Sequence, residues 1–156
     1  MQMAIIEFAR NNLNLKKATS SEFDKKGLPI IGLINEWTKN GKKFKGTDKD
    51  LGGTMRLGSY EAKLKNNSKI EKIYGKSSIK ERHRHRYEVN IEFREKFEKK
   101  GMSFSGLSPD GMLPEIIELN NHPWFIGVQF HPEFKSRPLA PHPLFSSFIK
   151  ASKNHK

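Results

Sequence analysis

Three apolar runs, MSFSG, MLPEIIEL and WFIGVQF, fall between Met102 and Phe130, separated only by the turn signals SPDG and NNHP. Connections this short join antiparallel strands, because a parallel crossover needs a dozen residues or more. The later part of the chain is thereby committed to antiparallel sheet, and the remaining elements must pack around it. GGTMRLGSYEAKL reads as a further strand, with an alternating run flanked by glycines. IKERHRHRYEVN begins strand-like and gives way to IEFREKFEKKG, a short helix ended by Gly101. Helical periodicity marks both ends of the chain. Over 1–14, Ile5, Phe8, Ala9 and Leu13 share one face. In HPLFSSFIKAS, Pro143 lies in the first turn and Leu144, Phe145, Phe148 and Ile149 are expected to face inward. From about 15 to 50 the chain is loop-rich, with a short apolar piece, LPIIGLI, and a lysine-rich stretch over 39–50. There are no internal repeats. The expected class is α/β with an antiparallel excursion in the second half. Residues 1–152 would form one unit and 153–156 a tail.

The string VQFHPEF places two titratable groups where an apolar strand stops. In an extended segment, residues i and i+2 point to the same side, so His131 and Glu133 can face one pocket. A carboxylate beside an imidazole fixes its tautomer and stabilises the imidazolium formed on proton uptake. The plainer reading is a strand that has reached the surface. In ERHRHRYE, strand alternation would put Arg82, Arg84 and Arg86 on one face and His83 and His85 on the other. Three arginines in a row suit a carboxylate or phosphate, or form an ordinary salt-bridged strand beside Glu81 and Glu88. A metal site from the two histidines lacks an obvious third ligand. In ATSSEF, Ser20, Ser21 and Glu22 read as a turn or a cap.

Composition bears on partners. The net charge is +12, from 29 Lys+Arg against 17 Asp+Glu, which favours an anionic partner. Much of the excess is lysine interleaved with acids and asparagines, and no recognised nucleic-acid motif accompanies it. No apolar stretch approaches the roughly 18 residues a membrane helix needs, and the first residues do not read as a secretory signal, so the cytoplasm is the default compartment. Cysteine is absent, which excludes disulfides, thiolate metal sites and a thiol nucleophile within these residues.

MQMAIIEFARN, ATSSEF, LGGTMRLG, ERHRHRYEVN, HPWFIGVQFHPEF and HPLFSSFIKA occur in this order from end to end of the chain. Together they resemble the carboxy-terminal glutamine amidotransferase domain of the CTP synthases. A histidine-proline-glutamate ending a strand is shared by many class I glutamine amidotransferases; GGTMRLG and RHRHRYEVN are narrower. The resemblance implies a flavodoxin-like class I amidotransferase fold, N-terminally truncated. It also implies glutamine hydrolysis at a Cys-His-Glu triad, with ammonia passed to a separate synthetase domain that converts UTP to CTP using ATP and Mg2+. By the same resemblance His131 is the general base and Glu133 its orienting acid. Arg86 holds the α-carboxylate of glutamine, Glu22 partners its α-amino group, and Met1 and Gln2 line the pocket. No metal ligand and no cofactor of this chain are implied. The implied partners are L-glutamine and the synthetase domain, in a homo-oligomeric full-length enzyme, with neither nucleic acid nor membrane.

The family's cysteine lies in an elbow just ahead of the position matching Met1, and Met1 offers no N-cap to a helix whose apolar residues begin at once. The expectation is therefore a carboxy-terminal fragment, inactive alone. Two other readings stand beside it. One is a non-catalytic glutamine-binding or docking module acting with a chain that carries the thiol; the other is a basic nucleic-acid-binding protein.

Overall fold

The computed structural model of the protein describes residues 1–33, 38–39, 42–43 and 55–155. Of the lysine-rich 39–50 stretch, only the backbone of a small ribbon falls within these bounds, Thr38–Lys39 (β3) against Lys42–Lys43 (β4). The rest of that stretch lies outside the described residues.

The chain opens with helix α1, Gln2–Asn12, which buries Ile5, Ile6, Phe8 and Ala9. Strands β1 (Ala18–Ser20) and β2 (Leu28–Gly32) pair in parallel, and β2 also pairs antiparallel with β7 (Glu88–Val89). The second sheet is antiparallel throughout. Its strands are β5 (Arg56–Leu64), β6 (Ser78–His85), β8 (Met102–Leu107), β9 (Pro114–Leu119) and β10 (Ile126–Val128), in the spatial order β10-β9-β8-β5-β6. The consecutive run β8-β9-β10 is the one that the short turns demand.

Strand β9 is buried on both faces, and its alternation feeds two apolar clusters. Ile117 joins the cluster of α1, with Ile5, Phe8, Ile30, Ile31 and Phe104. Ile116 joins the other, with Ala62, Leu64, Ile70, Ile79, Phe130 and Leu144. Glu118 on the same strand serves a different purpose. It accepts from the backbone N–H groups of Lys69 and Ile70, both at 3.0 Å. It thereby meets the positive end of helix α2, Lys69–Tyr74. Ser68 caps that helix by accepting from Glu71 N, and Gly75 closes it at φ 63°. The S-x-x-E pattern and the glycine were legible in NNSKIEKIYG, yet surrounding lysines masked the helix as scattered surface.

Helix α3, Arg94–Glu98, follows a 3-10 turn at Ile91–Phe93. Helix α4, Pro143–Asn154, starts where its first-turn proline implies. Its expected inward face is corrected: Leu144 is buried, whereas Phe145, Phe148 and Ile149 are exposed. Leu144 joins the cluster of Ile70, Ile79 and Phe130, and Trp124 meets the helix from the side, donating to Ser147 Oγ at 2.8 Å and packing edge-on to Phe148. The run WFIGVQF is a strand only over Ile126–Val128. Gln129 N still donates to Glu115 O of β9; two residues on, the chain changes neighbour, and His131 N donates to Arg82 O of β6 at 2.8 Å. Strands β10 and β6 are the two edges of the five-stranded sheet, so this exit bridges them. The sheet is curled until its edges approach, and His131 lies on the seam.

Close packing inside the curl should show at Gly106 in β8. A Cβ built there would come within 2.6 Å of two carbons of Ile116, which is fully buried. Gly106→Ala is expected to cost about 1–3 kcal/mol by overpacking. Thermal or denaturant melts measure the loss, and Ile116→Val, which trims that side chain, should recover part of it.

Candidate functional site

His131 leaves the strand in extended conformation, and Pro132–Phe134 then forms a 3-10 turn with the proline in its first position. This corrects the sequence expectation of a continuous extended segment. The turn, rather than strand alternation, brings His131 and Glu133 together, with His131 Nδ1 2.7 Å from Glu133 Oε1. Slight burial would raise the Glu133 carboxyl, but its own backbone N–H and His131 outweigh that and hold it below the usual carboxylate range. An ionised carboxylate can only accept, so Nδ1 carries a proton, and in the neutral ring the lone pair is then on Nε2. Phe134 stacks on the imidazole, ring centroids 5.1 Å apart. The arrangement suits a base with a fixed tautomer, half-open to solvent.

Strand β6 ends at His85, so the expected face of three arginines is also corrected. Arg82 and Arg84 point outward along the strand, while Arg86 stands in the bend beyond it, half-buried. The histidines turn inward, into a polar core that sequence reasoning missed. Arg56 is 3.2 Å from Glu88 Oε1 and 2.7 Å from Glu115 Oε1, with all three side chains buried. Gln129 Nε2 donates to Glu88 Oε2 at 2.9 Å. Gln2 Nε2 donates to Gln129 Oε1 at 3.1 Å and to Tyr87 O at 2.7 Å. His85 Nδ1 is 3.1 Å from that same carbonyl, and His83 Nδ1 is 2.8 Å from His85 Nε2. A carbonyl only accepts, so Nδ1 of His85 is protonated, its Nε2 accepts, and His83 donates from Nδ1.

Burial sets the titration of this core. It pushes His83 down to about 3 and His85 to about 4, with the Arg56 cation adding to both shifts. It pushes Glu88 up to about 7, against the pull of Arg56, and raises Glu115 as well. The signs oppose. In the unfolded chain the histidines take protons near their ordinary values, so their contribution to stability is lost as pH falls from about 6.5 towards 3–4. That of Glu88 is lost as pH rises from 4.5 towards 7.

The third ligand that His83 and His85 lacked in sequence is present in space. Their ring nitrogens and a Glu115 oxygen all lie within 4.8 Å of one another. A divalent ion here would share Glu115 with the Arg56 guanidinium and break the imidazole–imidazole hydrogen bond. The cluster is already closed by a cation of its own.

Of the sequence-derived residues, Gln2 is drawn to Tyr87, next to Arg86, and to Gln129, two residues before His131. Met1 is half-buried against the α1 cluster beside Gly127. Glu22 is exposed on the turn after β1, where Ser20 Oγ accepts from its backbone N–H. Its side chain joins none of the described hydrogen bonds or ion pairs. Arg56, Glu115 and Gln129 were missed because each stands alone in an apolar stretch or beyond a glycine pair, and Glu88 was read only as a salt-bridge partner of the arginine run. The one available signal was a buried-strand pattern interrupted by charge, as in LPEIIEL.

Residues 1–151 match the family described as glutamine amidotransferase class-I. The chain belongs to that family. Over all 156 residues this amidotransferase chain is 88% identical to the CTP synthase of Pelagibacter ubique strain HTCC1062, covering 29% of that protein. It is 61% identical over 153 residues to the CTP synthase of Zymomonas mobilis strain ZM4, covering 28%. The chain thus spans under a third of the length of these curated relatives. Among solved structures it resembles the glutaminase domain of Trypanosoma brucei CTPS with bound acivicin, at a TM-score of 0.84 and 31% identity. That match covers the whole of this chain and 58% of the other. The mixed α/β fold with its curled antiparallel sheet is that of the class I amidotransferases. Among the described residues no helix is long and apolar enough to cross a membrane.

The inward histidines give a direct test. Ring resonances of His83 and His85 should stay flat from pH 8 to about 5 in an NMR titration. Midpoints near the ordinary histidine value would show that the core is open to water.

Proposed function

We propose that this chain is the glutaminase part of a CTP synthase, which releases ammonia from L-glutamine for the ATP-dependent amination of UTP. The observation that carries the proposal is the hydrogen bond between His131 and Glu133, in a chain 88% identical to a CTP synthase along its full length. In this reading His131 Nε2 takes a proton from a cysteine thiol, and the thiolate attacks the γ-amide carbonyl of glutamine. The imidazolium formed is stabilised by Glu133, and its proton goes to the departing ammonia. Water, deprotonated by the same imidazole, then releases glutamate from the acyl-enzyme.

These 156 residues contain no cysteine, so the thiol comes from outside them. Arg86 would grip the α-carboxylate with its planar guanidinium. Glu22 would meet the α-amino group, with Met1 and Gln2 lining the pocket. ATP and Mg2+ would act in the synthetase part, and no residue of this chain is assigned to them. The enzyme would be cytoplasmic and homo-oligomeric.

The test uses a chimera in which these residues replace their counterpart in the Pelagibacter ubique enzyme. His131→Ala should lower glutamine-dependent CTP formation by about 10²–10⁴-fold and leave ammonia-dependent formation intact, because free ammonia bypasses the triad. Glu133→Gln should be milder. Equal loss with both nitrogen sources would make His131 a structural residue. In the same chimera, Arg86→Ala removes a charge-assisted contact, and kcat/KM for glutamine should fall about ten- to a hundred-fold. Arg86→Lys should recover only part of it, since an ammonium cannot reproduce the fork. Unchanged glutamine kinetics in Arg86→Ala, with loss in Arg84→Ala, would move the clamp to the other arginine.

A further inference from the structure

The polar core ends in two groups whose hydrogen-bonding character leaves no choice. At one end Arg56 can only donate; at the other, the Tyr87 carbonyl can only accept. Between them runs a single chain of contacts. Arg56 donates to Glu88 Oε1, Gln129 Nε2 donates to Glu88 Oε2, and Gln2 Nε2 donates to both Gln129 Oε1 and Tyr87 O. Every amide in the chain therefore has one permitted orientation. Reversing Gln129 would aim its carbonyl at a carboxylate oxygen and its NH2 at the NH2 of Gln2. The Gln2 nitrogen is spent on two partners, and its Oε1 has no hydrogen-bond partner among the described residues. Unlike Gln129, which is buried, Gln2 is only half-buried.

We propose that Gln129 is a positioning residue: braced by Glu88, it locks the Gln2 amide so that Gln2 Oε1 is presented as a fixed acceptor for an N–H group of L-glutamine. This rests on the reading of the site as a glutaminase. The mechanism described above makes no use of Gln129, and its place directly before Phe130 and His131 ties the substrate wall to the base through the backbone. The charged and titratable groups of this core are Glu88 from β7, which meets Gln129 itself, Arg56 from β5 and His85 from β6 against Glu88, Arg56 and His83 against Glu115 from β9, and His131 two residues on.

The test again uses the chimera with the Pelagibacter ubique enzyme, reading glutamine kcat and KM separately. Gln129→Met removes both hydrogen bonds at similar volume, and the freed Gln2 amide should raise KM for glutamine about three- to tenfold, with kcat within about twofold. Gln129→Glu keeps the shape but sets a carboxylate against Glu88. The pair needs one shared proton to restore the chain. Its KM, relative to the parent at the same pH, should therefore be raised at pH 8.5 and return towards parity at pH 6. That recovery is also the readout should Gln129→Met fail to fold, since general loosening of the core would not be repaired by acid. Parent-like KM in both variants, a loss confined to kcat, or a Gln129→Glu defect that persists at pH 6 would each overturn the inference. If His131→Ala retained glutamine-dependent activity, the glutaminase reading itself would fall. With His131→Ala inactive and the Gln129 variants at parental KM, this inference alone is refuted.

Discussion

Two buried carboxylates and one guanidinium hold the curled sheet together from inside. Arg56 on β5 reaches Glu115 on β9, with β8 between them in the sheet, and Glu88 on β7 of the neighbouring sheet. A pair like this adds little net stability, because desolvating its members costs about as much as their attraction returns. Removing one partner is another matter, since it strands a charge in the interior. The ion cluster therefore acts as a geometric constraint. It fixes where two sheets meet and leaves Glu88 Oε2 pointing at Gln129 and Glu115 facing His83.

His131 lies on the seam that this constraint keeps closed. His131 follows the shortest strand of the sheet and hydrogen-bonds through its backbone to the opposite edge, at Arg82. The turn that follows is held on the same strand, with Lys135 Nζ donating to Lys80 O at 2.6 Å and lying 3.3 Å from Glu81. Glu81 in turn meets His142, which caps α4 by accepting from Leu144 N, and Tyr74 at the end of α2. The turn that carries His131 and Glu133 is thus tied to both flanking helices through one buried carboxylate. Titration follows from the same layout. The imidazoles inside the seam are held neutral by burial and by Arg56, whereas His131 faces outward and pairs with a carboxylate that stays ionised.

Much of this was legible in the residues alone. Apolar periodicity marks α1, the short turns force β8, β9 and β10 to run antiparallel, and HPE at the end of an apolar run marks the imidazole and the carboxylate that pair. These signals are local, set within one or two turns of chain by backbone geometry and side-chain period. The family motifs are local as well, which is why membership could be read from strings such as RHRHRYEVN before any contact was known.

What only tertiary structure decided is non-local. Alternation along β6 separates arginines from histidines, but the end of the strand at His85, which turns Arg86 aside, depends on pairing with β5. The stripe on α4 looks apolar enough to be buried, yet only Leu144 enters the core, while Phe145, Phe148 and Ile149 stay exposed. Glu115 and Glu118 differ from surface glutamates only in what lies across from them, a guanidinium in one case and a helix N-terminus in the other. A one-dimensional pattern records which residues are apolar, charged or able to turn. Whether a charge ends up solvated or inside depends on a partner supplied from far along the chain, and only the packed structure brings the two together.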